Sequence, residues 1–147
     1  MKTLLTRILI FTFCSLWGQE LDFKKDFETI SKAINNSDAK TIGDFAPARE
    51  FGPVEYISPN AKTERILKEE FRKRLDKLFQ DYPVDNFTLL DVQRTEMYLP
   101  MAVGRYFTKG KTKYFLLMTF AIFDDKYRLL TFHVVDKLPS SMKRFDR

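Results

Sequence analysis

The chain has 147 residues, 44% of them apolar, and carries 25 Lys and Arg residues against 20 Asp and Glu residues. This length and composition suit one globular domain with a single hydrophobic core. The net charge of +5 is mild and its bases are interleaved with acids, so nucleic-acid binding is not indicated. A single histidine excludes a metal site built from several histidines.

The N-terminus has the composition of a secretory signal. Lys2 and Arg7 give a basic start, an apolar run follows over residues 8–17, and Gly18 is a small residue at its end. The run is shorter than the roughly 20 apolar residues of a membrane span. We therefore predict a signal peptide over residues 1–18, cleaved at Gly18 or one residue later. An uncleaved N-terminal anchor is the alternative.

Cleavage would leave one domain over residues 19–138 and a polar tail over residues 139–147. It would also remove Cys14, the only cysteine, and lower the net charge to about +3. The mature chain would then have no disulfide and no thiol chemistry. We expect an exported protein, periplasmic or extracellular, with no transmembrane segment in the mature chain.

Apolar residues at helical spacing predict three helices. The first runs from Leu21 to Asn35, and the second is expected to begin at a Ser37 cap and to end before Pro47. A third, amphipathic helix is predicted from about Pro59 to Asp81. The corner between the first two helices is unusually tight.

Strand-like segments make up most of the remainder. A short strand over Arg49 to Ser58, interrupted by Gly52 and Pro53, suits the edge of a sheet. Four strands rich in β-branched and aromatic residues follow the third helix as a meander: Phe87 to Arg94, Tyr98 to Phe107, Lys113 to Phe123 and Lys126 to Asp136. The order α-α-β-α-β-β-β-β is typical of an α+β fold with helices on one face of an antiparallel sheet.

Four stretches within this element order are informative: ISKAINNSDAKTIGDF, RILKEEF, VGRYFTKGKTKYFLL and DDKYRLLTFHVV. Together with the element order, they resemble the nuclear transport factor 2-like superfamily and, within it, a small secreted bacterial family of unknown function. It implies a cone-shaped fold, with three N-terminal helices packed on a strongly bent antiparallel sheet. Some relatives are isomerases, dehydratases or hydrolases, and others bind proteins or have no known ligand, so the resemblance does not select an activity.

Four polar residues are candidates for the interior of such a cone: His133, Asp91, Tyr56 and Tyr98. No phosphate-binding loop, nucleophile elbow or HExxH motif occurs in the sequence. A lone strand histidine is more often structural than catalytic, an aspartate in an alternating strand more often faces solvent, and tyrosines line many cores. We therefore assign no catalytic residue, no metal ligand and no cofactor.

The position of His133 depends on the turn at residues 124–125. With a two-residue turn, His133 pairs with Leu116 and shares a face with Met118. A three-residue turn would shift the register by one residue and send His133 to the opposite face.

Both faces of the last two strands are apolar, unlike a sheet with one solvated face. Phe115, Leu117 and Phe123 lie together on one of these faces, and the helices can cover only one. An apolar patch of this kind usually marks an interface, and a self-complementary patch commonly makes a two-fold dimer. We predict a homodimer through these residues, with shielding by the bent sheet or by the tail as the alternative.

These observations favour an exported, non-enzymatic domain that binds an apolar small ligand or a protein partner, such as another envelope protein. A small cofactor-independent isomerase, dehydratase or hydrolase acting inside the cone is the alternative. A solvent-connected cavity with polar side chains would favour small-molecule chemistry, whereas a filled cone would favour an interaction or structural role.

Overall fold

The computed structural model describes residues 24–95 and 98–146. The predicted signal peptide and the beginning of the predicted first helix lie outside these residues. Within them, no helix is long and apolar enough to cross a membrane.

Three α-helices and six strands make up the described part of the chain. The helices are α1 (residues 24–35), α2 (Ala39–Asp44) and α3 (Lys68–Asp81). The strands are β1 (Val54–Ile57), β2 (Glu64–Ile66), β3 (Val84–Thr95), β4 (Tyr98–Thr108), β5 (Lys113–Phe123) and β6 (Lys126–Val135). Short 3-10 helices lie at Arg49–Phe51 and Ser140–Asp146.

The six strands form one sheet in the order β2-β1-β6-β5-β4-β3. All neighbours are antiparallel except β1 and β6, which run parallel because the chain between them crosses over through α3 and the intervening strands. The helices pack on one face of this sheet. The α+β cone predicted from the sequence is confirmed. Its sheet differs from the predicted antiparallel sheet only where β1 and β6 pair in parallel.

The region around β1 differs most from the prediction. The expected edge strand over residues 49–58 is a 3-10 turn followed, after Gly52 at φ +106°, by β1, which lies inside the sheet. The edge is instead β2, whose three residues were expected to belong to the third helix. The charged sequence of β2 carries no strand signal, so its pairing with β1 decides its conformation.

The tight corner between α1 and α2 ties the helices to the edge of the sheet. Asn35 accepts a hydrogen bond from the Phe87 N–H through Oδ1 (2.8 Å) and donates one to the Phe87 carbonyl oxygen through Nδ2 (3.1 Å). Ser37 takes the left-handed conformation with φ 55°. Asp38, and not Ser37, caps α2 by accepting a hydrogen bond from the Thr41 N–H at 3.0 Å.

The main core lies between the helices and the inner face of the sheet. Ile30 and Ile34 of α1 and Phe71 of α3 are fully buried there. Alternate residues of β5, among them Leu116 and Met118, meet them from the sheet and are equally buried.

The outer face of the sheet carries a second, smaller apolar cluster. Val103, Phe115 and Leu138 are buried in it, and Leu117 and Met142 pack against them. We call the three buried residues the outer cluster. The segment after Leu138, predicted to be a polar tail, therefore forms a 3-10 helix that covers part of the outer face. This is the shielding within one molecule that we gave as the alternative to a dimer interface.

Candidate functional site

The interior of the cone is filled with aromatic side chains. The Tyr56 ring stacks on Phe132 with centroids 6.4 Å apart, and Phe71 meets both rings edge-on. Tyr106 is fully buried and donates its hydroxyl to the Tyr82 carbonyl oxygen at 2.5 Å. Burial raises the pKa of Tyr56 to about 12 and also raises the pKa of Tyr106, so both phenols stay protonated at neutral pH. This region is packed core and not a ligand chamber.

An open cleft of about 410 Å³ lies at the end of the cone where α1, the end of α2 and the β5–β6 turn meet. We call it the mouth cleft. Its volume falls within the range of roughly 300–1,000 Å³ that small-molecule pockets occupy. Its lining combines three apolar or aromatic residues, three carboxylates and two bases: Phe45, Ile122 and Tyr127; Asp26, Asp44 and Asp125; Lys126 and Arg128.

Part of the charge in the mouth cleft is held by structural contacts. The Asp44 carboxylate contacts the Arg72 guanidinium, and Lys68 Nζ lies 3.5 Å from the same carboxylate. Arg128 donates a hydrogen bond to the Asp44 carbonyl oxygen through Nη1 at 3.0 Å. These contacts hold the end of α2 against α3 and β6, so Asp44 and Arg128 are already engaged in the fold.

The apolar side of the mouth cleft is accessible. Ile122 is 45% exposed although it lies on the inner face of β5. The Leu129 N–H donates to the Phe45 carbonyl oxygen at 2.8 Å, which sets the end of α2 beside β6. The exposed Ile122 and the half-buried Phe45, next to charged groups of both signs, suit an amphipathic ligand.

A second cavity lies between β1 and the end of α3 and is much smaller. Its volume is about 60 Å³, and Tyr56, Arg74 and Tyr82 are among its lining residues. One water occupies roughly 30 Å³ in the liquid. This cavity therefore suits water molecules and not a ligand.

His133 lies on the outer face of the sheet and not in the cone. The turn between β5 and β6 consists of the two residues 124–125, both with positive φ, so the two-residue alternative is the one found. A β-bulge farther along the hairpin then shifts the register by one residue, so that His133 pairs with Leu117 instead of Leu116. The prediction that His133 shares a face with Met118 is therefore wrong.

A threonine pair supports the bulge that moves His133. Thr131 Oγ1 accepts a hydrogen bond from the Thr119 N–H at 3.1 Å and lies 2.9 Å from the Thr119 hydroxyl. His133 Nε2 lies 3.1 Å from Glu55 Oε1, but burial lowers the pKa of His133 despite this carboxylate. The imidazole is therefore neutral at pH 7, and it lines neither cavity.

The other predicted pocket residues do not meet in one place. Asp91 is half-buried and pairs with Val103 of the outer cluster. Tyr56 lies in the core and donates its hydroxyl to the Arg74 carbonyl oxygen at 3.3 Å. Tyr98 is the first residue of β4, and its side chain lies outside the described part of the chain.

The predicted interface residues differ in how accessible they are. Phe115 is 1% exposed, because Leu138 and the tail cover it. Phe123 stacks on Phe51 with ring centroids 5.0 Å apart. Leu117 is half-buried and packs against the outer cluster.

Sequence reasoning did not identify the mouth cleft. The turn at residues 124–125 and the apolar Ile122 were visible as parts of a hairpin, but their meeting with Asp26 and Phe45 depends on how α1 and α2 cross the sheet. The three carboxylates of the cleft do not make a metal site. Within residues 24–95 and 98–146, no group of three or more His, Cys, Asp or Glu residues could hold a metal ion.

Solved structures with the same architecture come from proteins of very low sequence identity. A DUF4783 family protein from Bacteroides uniformis superposes with a TM-score of 0.65 at 12% identity, over 76% of this chain and 97% of that chain. A provisionally assigned dehydratase of the NTF2-like family from Streptomyces avermitilis gives a TM-score of 0.63 at 11% identity, over 83% and 99%. An NTF2-like protein of unknown function from Shewanella oneidensis gives 0.56 at 18% identity, over 78% and 97%.

These similarities show that the chain has an NTF2-like fold, the one that its sequence resembles. No protein-family model matches the chain, and no curated protein matches its sequence. At sequence identities this low, the structural similarity shows a shared fold and does not indicate a shared activity.

Proposed function

We propose that this chain is an exported, non-enzymatic domain that binds a small amphipathic ligand in the mouth cleft. The observation that carries the proposal is the contrast between the packed interior and an accessible cleft of about 410 Å³. Apolar side chains and charges of both signs line this cleft. A ligand with an apolar body and a polar end matches that lining.

A cofactor-independent isomerase, dehydratase or hydrolase has less support. No histidine lines the mouth cleft, and its Asp44 is engaged by Arg72 and Lys68. A general base must lie within reach of a substrate proton, and His133 lies on the opposite face of the sheet. The resemblance to a provisionally assigned dehydratase concerns the fold alone.

The export part of the proposal is supported by the N-terminal sequence. A basic start, an apolar run over residues 8–17 and the small residue Gly18 follow one another as in a cleaved signal. N-terminal sequencing of the protein recovered from the envelope or the medium should begin at Gln19 or Glu20. An exported chain that begins at Met1 would contradict this.

Native mass spectrometry of the purified protein tests the ligand. We expect a co-purified small molecule that is lost in Ile122→Asp, because this change places a charge in the apolar side of the cleft at a residue that is 45% exposed. Leu67→Asp is the matched control, since Leu67 is 39% exposed and does not line the cleft. The absence of any adduct, its persistence in Ile122→Asp, or its equal loss in both variants would contradict the proposal.

We also propose that the uncovered part of the outer face mediates a homodimer. Of the three predicted interface residues, Phe115 lies beneath the tail and Phe123 is stacked on Phe51, whereas Leu117 is half-buried beside the outer cluster and is the residue to substitute. In sedimentation at micromolar concentration, Leu117→Glu should be a folded monomer where the wild type is a dimer. A wild-type protein that stays monomeric rules out the dimer.

A further inference from the structure

The end of the sheet opposite the mouth cleft carries four exposed lysines. Lys109 and Lys111 lie in the β4–β5 turn, Lys113 begins β5, and Lys137 follows β6. The antiparallel register of β5 and β6 brings Lys113 and Lys137 to the same end, because Phe115 pairs with Val135 two residues farther in. We call these four residues the lysine cluster.

Hydrogen bonds hold the turn that presents the lysine cluster. The Thr108 N–H donates to the Thr112 carbonyl oxygen at 3.0 Å, and the Thr112 N–H donates to Thr108 Oγ1 at 3.2 Å. The Lys109 N–H donates to the Pro83 carbonyl oxygen at 2.9 Å, which ties the turn to the start of β3. Lys113 Nζ lies 5.1 Å from the centroid of the Phe115 ring. The ammonium groups therefore project from an ordered backbone.

The lysine cluster differs from the basic residues of α3 and its neighbours. Five of those residues are in ion pairs with Asp and Glu: Arg65, Lys68, Arg72, Arg74 and Lys77. By contrast, Lys109, Lys111 and Lys137 form no ion pair with any residue that the structure describes.

The surroundings of the lysine cluster leave this end positive. Asp85 and Asp136 are exposed acids near it. The 3-10 helix that packs beside the outer cluster adds Lys143 and Arg144. The turn at the opposite end of the sheet, residues 124–125, consists of two aspartates instead.

We propose that the lysine cluster binds the anionic headgroups of a phospholipid membrane surface and that the mouth cleft then faces away from the membrane. Lysine ammonium groups are compact point charges, and clusters of them adsorb to anionic lipid without a shaped pocket. The four lysines lie together at one end of the sheet, two of them in the β4–β5 turn, an arrangement that suits a flat surface. Single-stranded nucleic acid needs aromatic stacking platforms. Among the aromatic side chains whose burial the structure describes, the exposed one is Phe51, which stacks on Phe123 at the other end of β5.

Vesicle binding tests this inference independently of any ligand in the mouth cleft. Co-sedimentation is measured with phosphatidylcholine vesicles that do or do not contain phosphatidylglycerol, at low and at physiological salt. We expect binding only to the vesicles with phosphatidylglycerol, weakened by salt. The triple variant Lys109→Gln, Lys111→Gln and Lys137→Gln should bind these vesicles about a hundred-fold more weakly than the wild type. Each lysine near an anionic surface contributes about 1 kcal/mol, which corresponds to about five-fold in affinity, and the three effects multiply.

A triple variant at other exposed lysines is the matched control. Lys25→Gln, Lys40→Gln and Lys73→Gln remove the same total charge from residues far along the chain from the lysine cluster. All the proteins compared begin at the same residue, so any contribution from the N-terminus is equal. The control should bind nearly as well as the wild type, and circular dichroism confirms that both variants are folded.

Three results would overturn the inference. The first is the absence of binding to phosphatidylglycerol vesicles at low salt. The second is an equal loss in the control variant, which would show that net charge and not the lysine cluster is responsible. The third is tighter binding to a single-stranded oligonucleotide than to the vesicles with the same dependence on these lysines, because the partner would then be a nucleic acid.

Discussion

At Gly104, the lack of a side chain lets a neighbouring ring pack against the sheet. A Cβ atom at this position of β4 would lie 2.1 Å from Cε2 of Phe87 on β3, which is too close for two non-bonded atoms. Glycine inside a strand is otherwise unfavourable, and the close approach of the Phe87 ring explains why a glycine occupies position 104. Phe87 is also the residue whose backbone pairs with Asn35, and the two contacts together position the edge strand.

Gly104→Ala should therefore destabilise the protein. The added methyl group forces the Phe87 ring out of its place, and overpacking of this kind costs about 1–3 kcal/mol in free energy of unfolding. Gly110→Ala is the control, because the nearest atom to an added Cβ there is Thr108 Oγ1 at 3.7 Å. Urea unfolding measures both. A Gly104→Ala protein as stable as the Gly110→Ala protein would show that the ring can move without cost.

The burial of His133 predicts that the stability of the protein depends on pH. Burial lowers its pKa below the ordinary 6.5, although Glu55 acts in the opposite direction and Arg65 lies 3.8 Å from that carboxylate. The folded protein thus binds this proton less readily than the unfolded chain. The stability linked to His133 is full above about pH 6.5 and is lost as the pH falls through 6.5 toward the lower folded pKa.

The comparison between wild type and His133→Gln isolates this effect. The drop in free energy of unfolding between about pH 7 and about pH 5 should be smaller in the variant, because the carboxylates contribute equally to both proteins. Urea unfolding at the two pH values measures it. A larger drop in His133→Gln would mean that the contact with Glu55 outweighs burial.

Among the secondary-structure elements, α1 is linked to the sheet edge by one side chain. The Asn35 carboxamide accepts from the Phe87 N–H and donates to the Phe87 carbonyl oxygen. It thus satisfies two backbone groups of β3, which pairs on one side with β4 and is an edge strand of the described sheet. Each hydrogen bond contributes about 0.5–1.5 kcal/mol net.

Asn35→Ala should lower the free energy of unfolding by about 1–3 kcal/mol, the sum of two such bonds. It should also speed hydrogen exchange at the Phe87 amide. Asn36→Ala, at the exposed neighbouring residue, is the control and should leave both quantities close to wild type. Unchanged exchange at Phe87 would show that the carboxamide does not protect the edge.

For the whole molecule, the C-terminal segment decides how much of the outer face meets solvent. Leu138 is 7% exposed and lies with Val103 and Phe115 in the outer cluster. Leu138→Ala removes part of this cover and should cost about 2 kcal/mol in free energy of unfolding, at the low end for buried leucines because the cluster is small. Leu67→Ala, at a residue that is 39% exposed, should stay within about 0.5 kcal/mol of wild type. Equal effects of the two substitutions in thermal or urea unfolding would mean that the packing of Leu138 on the outer face does not stabilise the fold.

The sequence by itself determined the local elements of this protein. The helices around Ile30 and Phe71 follow from apolar residues at helical spacing, and the meander follows from β-branched and aromatic runs separated by turns. The turn at residues 124–125 was also predictable, because Asp tolerates the positive φ that a tight turn needs, but the sequence left its length open at two or three residues. These features depend on interactions between residues close together in the chain.

Only the tertiary structure decided the features that depend on distant contacts. β2 is a strand because it pairs with β1, and His133 lies on the outer face because a bulge supported by Thr131 shifts the hairpin by one residue. The mouth cleft forms where α1, α2 and the β5–β6 hairpin come together, and neither its residues nor their spacing marks it in the sequence. The physical reason is that pairing register and helix docking are set by the packing of the whole core, which local propensity does not encode.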